Sequence, residues 1–165
     1  MATFTNQATL SYGNTVTQSN VVTGELQQAV SMTKYALTET YTADGVLTYV
    51  ISLVNDGATA LTDLTVTDNL GAYTLNGNTL VPLTYVPGSL AYYVGGARQA
   101  DPVVTATDPL TITGISVPAN SDAFLAYQVT TNEYASPATG GIITNTATAT
   151  GDGLPAPIEI GRAHV

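Results

Sequence analysis

The stretch TYVISLVNDGATALTDLTVTDNLG (residues 48–71) decides the fold. Across 46–54, Leu47, Tyr49, Ile51 and Leu53 recur at every second position, which is the side-chain period of a strand with one buried face. Asn55-Asp56-Gly57 then interrupts the alternation with residues that tolerate positive φ. A second strand follows over 61–68, with Leu64, Val66, Asp68 and Leu70 in phase. Working outward, further strands are predicted near 29–38, 72–76, 79–86, 89–94, 110–116, 123–131 and 142–150. Turn chemistry separates them at Asn76-Gly77-Asn78, Pro87-Gly88, Gly95-Gly96, Asp108-Pro109, Pro118-Ala119-Asn120 and Gly140-Gly141. Many short strands with closely spaced turns, and no useful 3.6-residue period, predict an antiparallel sandwich.

The chain opens with a second pattern. In TFTNQATLSY (3–12), Phe4, Asn6, Ala8, Leu10 and Tyr12 share a face; Gly13-Asn14 is a turn and 20–26 its partner strand. Thr5-Asn6-Gln7-Ala8-Thr9-Leu10 echoes Thr144-Asn145-Thr146-Ala147-Thr148-Ala149. The first 28 residues thus read like the closing hairpin of the domain that follows them. Either they form an ordered appendage of that domain, or they are half of a pairing unit for a neighbour. The first reading is preferred because an isolated hairpin is marginal in water.

Composition narrows the function classes. The 165 residues suffice for one core, and hydrophobic residues make up 44% of them, supplied as Val, Ile, Leu, Ala and Tyr. Charged residues are only 9%, against roughly 25% in an average soluble domain, so Thr, Ser and Asn carry the polarity. A net charge of −9 with three basic residues excludes phosphate neutralisation and attraction to an anionic membrane. The absence of cysteine removes disulfides, thiolate metal sites and thiol nucleophiles together. No apolar run reaches the length of a membrane helix, and Met1-Ala2-Thr3-Phe4-Thr5 has neither the basic start nor the apolar stretch of a signal peptide. Export is then expected to use a signal outside this chain or another route. Glu159-Ile160-Gly161-Arg162-Ala163-His164-Val165 reads as the translation of a sequencing adapter and is set aside as a non-native tail. With His164 set aside, a catalytic triad has no base.

The segments 46–70, PANSDAFLAYQVTT (118–131) and ITNTAT (143–148) resemble the conserved-repeat, immunoglobulin-like domain of bacterial cell-surface proteins. The resemblance covers most of 29–150. The Pro that usually follows the family's Asp-x-Leu is replaced here by Gly71. The resemblance implies an all-β, antiparallel immunoglobulin-like β-sandwich (29–158) with an additional N-terminal β-hairpin (1–28) that packs on or pairs with it. It further implies a non-catalytic structural or adhesive module, extracellular or at the cell surface, that spaces or presents other domains. Its expected partners are neighbouring repeats, surface proteins or a glycan, with no cofactor. The competing reading is a carbohydrate- or protein-binding module that uses exposed tyrosines and loops.

Strand parity singles out three polar residues. Val30, Met32, Lys34 and Ala36 share a face, as do Leu64, Val66, Asp68 and Leu70, and as do Ile143, Asn145, Ala147 and Ala149. Lys34, Asp68 and Asn145 therefore all read inward. This trio is similar to that of intramolecular isopeptide domains of bacterial surface proteins. There a desolvated Lys amine attacks an Asn carboxamide beside a buried carboxyl. The plainer reading carries greater weight: Asp68 caps a turn, Asn145 bonds backbone groups and Lys34 extends to a sheet edge. Tyr92 and Tyr93 must point to opposite faces, and the exposed one is a candidate glycan or protein contact. Several loop Asp residues leave calcium open, but no EF-hand or repeated Gly-Asp pattern is present and no metal ligand is assigned.

Overall fold

A computed structural model describes residues 2–26, 29–135, 141–154, 156–159 and 163–164. Residues 27–28 at the expected domain boundary, Gly140 and most of the set-aside tail lie outside the described residues. Every described element is a β-strand: β1 (Ala2–Asn6), β2 (Thr9–Tyr12), β3 (Thr15–Gln18), β4 (Val22–Leu26), β5 (Val30–Ala36), β6 (Val46–Asn55) and β7 (Leu61–Asp68) come first. They are followed by β8 (Tyr73–Leu75), β9 (Asn78–Leu80), β10 (Leu83–Tyr85), β11 (Ala91–Val94), β12 (Ala97–Arg98) and β13 (Val103–Thr107). The last are β14 (Leu110–Val117), β15 (Ser121–Thr131), β16 (Thr144–Asn145), β17 (Ala147–Asp152), β18 (Ile158–Glu159) and β19 (Ala163–His164).

Two sheets form an immunoglobulin-like sandwich. One runs β12-β11-β15-β6-β5 with β10 also paired to β15; the other runs β13-β14-β7-β17-β18. Every pairing is antiparallel. The longest ladder joins β15 to β6, from Ser121↔Asn55 to Thr130↔Val46. It places Leu125 against Ile51 and Tyr127 against Tyr49, so the alternating apolar faces of both strands meet the same core. The facing sheet contributes Leu64, Val66, Leu110, Ile112, Ile115, Val117, Ala147 and Ala149, all buried. Period-2 burial is what a two-layer β core demands.

Two bulges keep that core in phase. On β14, Leu110 and Ile112 face inward, and a simple alternation would bring Gly114 and Ser116 in next. Instead Gly114 adopts φ +80° and the register with β7 shifts, so Ile115 and Val117 turn inward. On β7, Asp63 at φ +51° lets Leu61 and Leu64 both bury. An added residue re-aims every side chain beyond it.

Local chemistry differs from expectation at three places. The turn after β6 contains no positive φ; the Asn55 side chain holds it instead. Asn55 Oδ1 accepts from Gly57 N, and its Nδ2 donates to the carbonyls of Thr59, Val117 and Pro118. The expected strand 79–86 is divided into β9 and β10 around Val81-Pro82, where proline cannot donate to a ladder. β13 was not expected, because exposed Val103 and Ala106 give it no clear alternation; it forms as an edge paired to β14.

The N-terminal strands pair only with one another among the described residues: β1 with β4 and β2 with β3. Ser19 bridges the break between them, donating its N–H to the Ala8 carbonyl and accepting from Ala8 N at its hydroxyl. Residues 4–23 are exposed throughout.

Candidate functional site

The site forms where β5 of one sheet faces the end of β7 in the other, next to β16, which pairs with β19 and not with that sheet. β5 alternates strictly: Val30, Met32 and Lys34 are buried while Ser31, Thr33 and Tyr35 are exposed. The same alternation buries Asp68 at the end of β7 and Asn145 in β16. All three parity-selected residues are thus on inner faces.

Lys34 and Asp68 are in direct contact. Lys34 Nζ donates to Asp68 Oδ2 at 2.6 Å, and neither side chain has exposed surface. The Tyr127 hydroxyl donates to the same oxygen, and Leu70 N donates to Oδ1 at 2.8 Å. Lys34 Nζ also lies 4.8 Å from the centroid of the Tyr49 ring, whose face favours a cation. Burial lowers the Lys34 pKa from 10.5 to about 8, with the Asp68 charge and hydrogen bond resisting the fall. A neutral amine is therefore accessible near neutral pH, which an exposed lysine does not offer.

Asn145 sits beside this pair in a lopsided hydrogen-bond environment. Its Oδ1 accepts from Gly71 N at 3.1 Å, which fixes which carboxamide atom is the oxygen. Among the described residues its Nδ2 has no partner, and neither has the Tyr49 hydroxyl, although both are fully buried. The two groups are near neighbours: desolvation raises the Tyr49 pKa, the Asn145 carboxamide tempers that rise and the Asp68 charge adds to it. They do not, however, meet in hydrogen-bond geometry. An unpaired buried polar group costs about 1–3 kcal/mol. The carboxamide is thus polarised at its oxygen and unsupported at its nitrogen.

Gly71 holds this geometry in place. Leu70 and Gly71 take consecutive positive φ values of 52° and 74°, folding the corner after β7 so that Gly71 N points at Asn145. Asn69 Oδ1 accepts from Gly71 N and Thr146 N, pinning the corner to the segment that carries Asn145. Gly71 therefore supplies an N–H that a proline at this position would lack. A Cβ here would stand 2.6 Å from Ile143 Cγ2 and 3.0 Å from Pro82 Cγ. Gly71→Ala is expected to lose about 1–3 kcal/mol, from clash and left-handed strain together, measured by urea unfolding. An unchanged midpoint would contradict this account of the corner.

Three members of the site escaped the sequence reading: Tyr127, Tyr49 and Gly71. Both tyrosines lie on alternating inward positions, so their burial was readable, but the Tyr127 contact with Asp68 and the Tyr49 contact with Lys34 depend on pairing between distant strands. The tyrosine pair chosen from sequence divides. Tyr92 turns inward, its hydroxyl donating to the Ser116 carbonyl and accepting from Ser116 N at 3.1 Å, so it has no surface to offer a ligand. Tyr93 is the exposed member, with the Arg98 guanidinium 5.6 Å from its ring and Arg98 paired to Asp101. Among the described residues no group of three or more His, Cys, Asp or Glu converges as a metal site.

No protein-family model matches the chain, and no curated protein matches it. Solved structures do. The major pilin subunit of Bacillus cereus superposes with a TM-score of 0.57 at 17% identity, covering 98% of this chain and 47% of the pilin. The full-length major pilin of Corynebacterium diphtheriae gives 0.61 at 14% identity, covering 82% and 35%. The N-terminal domain of a Streptococcus gordonii adhesin gives 0.54 at 19% identity, covering 79% and 32%. The chain thus spans less than half the length of each. At these identities the likeness is one of fold, and it agrees with an antiparallel immunoglobulin-like sandwich.

Proposed function

We propose that the chain is a non-catalytic structural or adhesive module of a bacterial surface or secreted protein, spacing or presenting its neighbours, and closed by a self-formed Lys34–Asn145 isopeptide bond. The fold-level likeness to pilins and an adhesin supports the setting. The observation that carries the cross-link is the buried Lys34–Asp68 pair set beside a carboxamide whose nitrogen has no partner among the described residues.

The chemistry balances within the site. Lys34 Nζ passes a proton to Asp68 Oδ2 across their hydrogen bond, leaving a neutral amine and a carboxylic acid. Nζ attacks Asn145 Cγ while Gly71 N–H stabilises the charge growing on Oδ1. The Cγ–Nδ2 bond breaks, Nδ2 takes a second proton from Nζ, and ammonia leaves. One proton stays on Asp68. The atom expelled is the one that the fold leaves unsatisfied, so the reaction removes a buried cost. It runs once per chain, without turnover. The product ties the edge strand β5 to the late strand β16, which resists pulling and proteolysis kinetically.

Denaturing mass spectrometry tests this: bond formation removes one ammonia, about 17 Da, and Lys34→Met restores the full calculated mass. A parent chain at its full calculated mass rejects the cross-link. A second reading rests on exposed Tyr93 with its Arg98–Asp101 neighbours, which together make a small polar-aromatic surface. Specific binding on a glycan array, lost in Tyr93→Ala, would favour a recognition module over a spacer.

A further inference from the structure

The same sequence pattern occurs twice in this chain with opposite burial. In the sandwich, Ile143, Asn145, Ala147 and Ala149 are all at most 4% exposed. In the N-terminal ribbon, the matching Phe4 and Leu10 are 64% and 70% exposed, and Asn6 and Ala8 are exposed with them. Both copies interrupt their strand directly after the Asn, at Thr146 in one and at Gln7-Ala8 in the other. The cross-strand register adds Val22, 59% exposed, to the Phe4 face, since Asn6 pairs with Val22. Tyr12, in phase with Leu10, is 85% exposed. Thr5, Gln7, Thr9 and Ser11 occupy the opposite face. One side of the ribbon is therefore a largely apolar stripe left uncovered among the described residues, on an element that is marginal alone.

We propose that this stripe is the closing element of a second immunoglobulin-like sandwich of the same type, one that lacks its own last strands. Phe4, Asn6, Ala8 and Leu10 sit there where Ile143, Asn145, Ala147 and Ala149 sit here. The occupant follows from the echo: these inward positions have the spacing and small-residue centre that β7 and β5 accept in this sandwich. The larger Phe4 and Leu10 fill a partner whose facing residues are smaller than Ile143 and Ala149 require. Main-chain pairing to the partner's counterpart of β7 supplies the rest of the affinity, as in strand addition. Docking does not need the cross-link. Where the partner carries a Lys–Asp pair like Lys34–Asp68, Asn6 faces it, a corollary that rests on the isopeptide reading.

A tandem chain tests the docking. Residues 29–141 are joined directly to residue 3 of this chain, which continues to 165, so the upstream copy meets the ribbon where its own 142–158 would be. The upstream copy is expected to resist protease as well as the downstream sandwich does. Phe4→Asp with Leu10→Asp in the ribbon is expected to restore its digestion at least tenfold. A control tandem with 142–158 restored upstream shows that the copy folds in this setting. If the control resists and the ribbon-closed tandem is digested, the proposal fails. It also fails if the 165-residue chain forms dimers by light scattering that Leu10→Asp dissociates, since the ribbon then packs on another ribbon. Mass reports the corollary separately: protection without a second ammonia loss keeps the docking and removes Asn6 as an acceptor.

Discussion

Asp68→Ala is expected to destabilise the sandwich by about 3–5 kcal/mol relative to the un-cross-linked Asn145→Ala chain, because it strands the Lys34 amine in a site with no exposed surface. The same change orphans two other donors, the Tyr127 hydroxyl and Leu70 N, which both end on Asp68. Relief by Lys34 losing its proton is partial, since its pKa already lies near 8 with Asp68 present. Adding Lys34→Met to Asp68→Ala should recover most of the loss, because an apolar pair in that space has no charge to desolvate. The single variant should also keep its full mass, having lost the group that accepts the amine proton. Urea unfolding of Asn145→Ala, Asp68→Ala and the Asp68→Ala, Lys34→Met double variant checks this. An Asp68→Ala chain within about 1 kcal/mol of Asn145→Ala would mean that water reaches Lys34 and that the buried pair is not what holds this end of the sandwich.

How far the sequence reached is best judged at individual residues. The inward faces of β5, β6, β17 and of β7 from Leu64 onward were legible because each of these stretches alternates cleanly enough to fix its phase. Parity alone therefore brought Lys34, Asp68 and Asn145 to inner faces. What it left open was their separation, because a strand's phase says nothing of which strand lies opposite. The Lys34–Asp68 contact needs β5 at the edge of one sheet and β7 in the middle of the other, a crossover arrangement set by the whole topology. Tyr127 and Tyr49 were hidden for the same reason: each is an ordinary inward residue on its own strand, and only the β15–β6 register sets them opposite each other beside Asp68. The bulges at Asp63 and Gly114 were hidden differently. Each compensates for a local break in alternation, and a broken pattern reads as a weak strand until the partner's register is known. The polar corner 68–71 was readable as a turn, but not as the support that aims Gly71 N at a residue far along the chain.

Asn145→Ala separates a covalent site from a merely hydrogen-bonded one by magnitude. If Asn145 only accepts from Gly71 N, its loss costs about 1 kcal/mol, reduced further by removal of the unpaired Nδ2. If it carries the cross-link, the variant frees a loop from residue 34 to residue 145. Closing a loop of this size constrains the unfolded chain by about 4–5 kcal/mol in the chain-entropy treatment of disulfides. For a domain of this length that corresponds to a fall in Tm of roughly 10–20 °C. The pH dependence provides a second measure, because only the variant retains a free Lys34 amine. With a folded pKa of about 8 against 10.5 unfolded, the native variant binds fewer protons than the unfolded chain between those values. Its stability should therefore rise as pH climbs through that window. Tyr49 and Tyr127 act in the opposite sense, since burial raises both; the stability they confer is complete below the ordinary tyrosine pKa of 10 and is lost above it. The rise is thus read between about pH 8 and 9.5, where it should amount to about 1–2 kcal/mol. The cross-linked parent, whose Lys34 is an amide, should show none of it. Equal pH profiles in parent and variant, together with a loss near 1 kcal/mol, would leave Lys34 and Asp68 as a buried ion pair and nothing more.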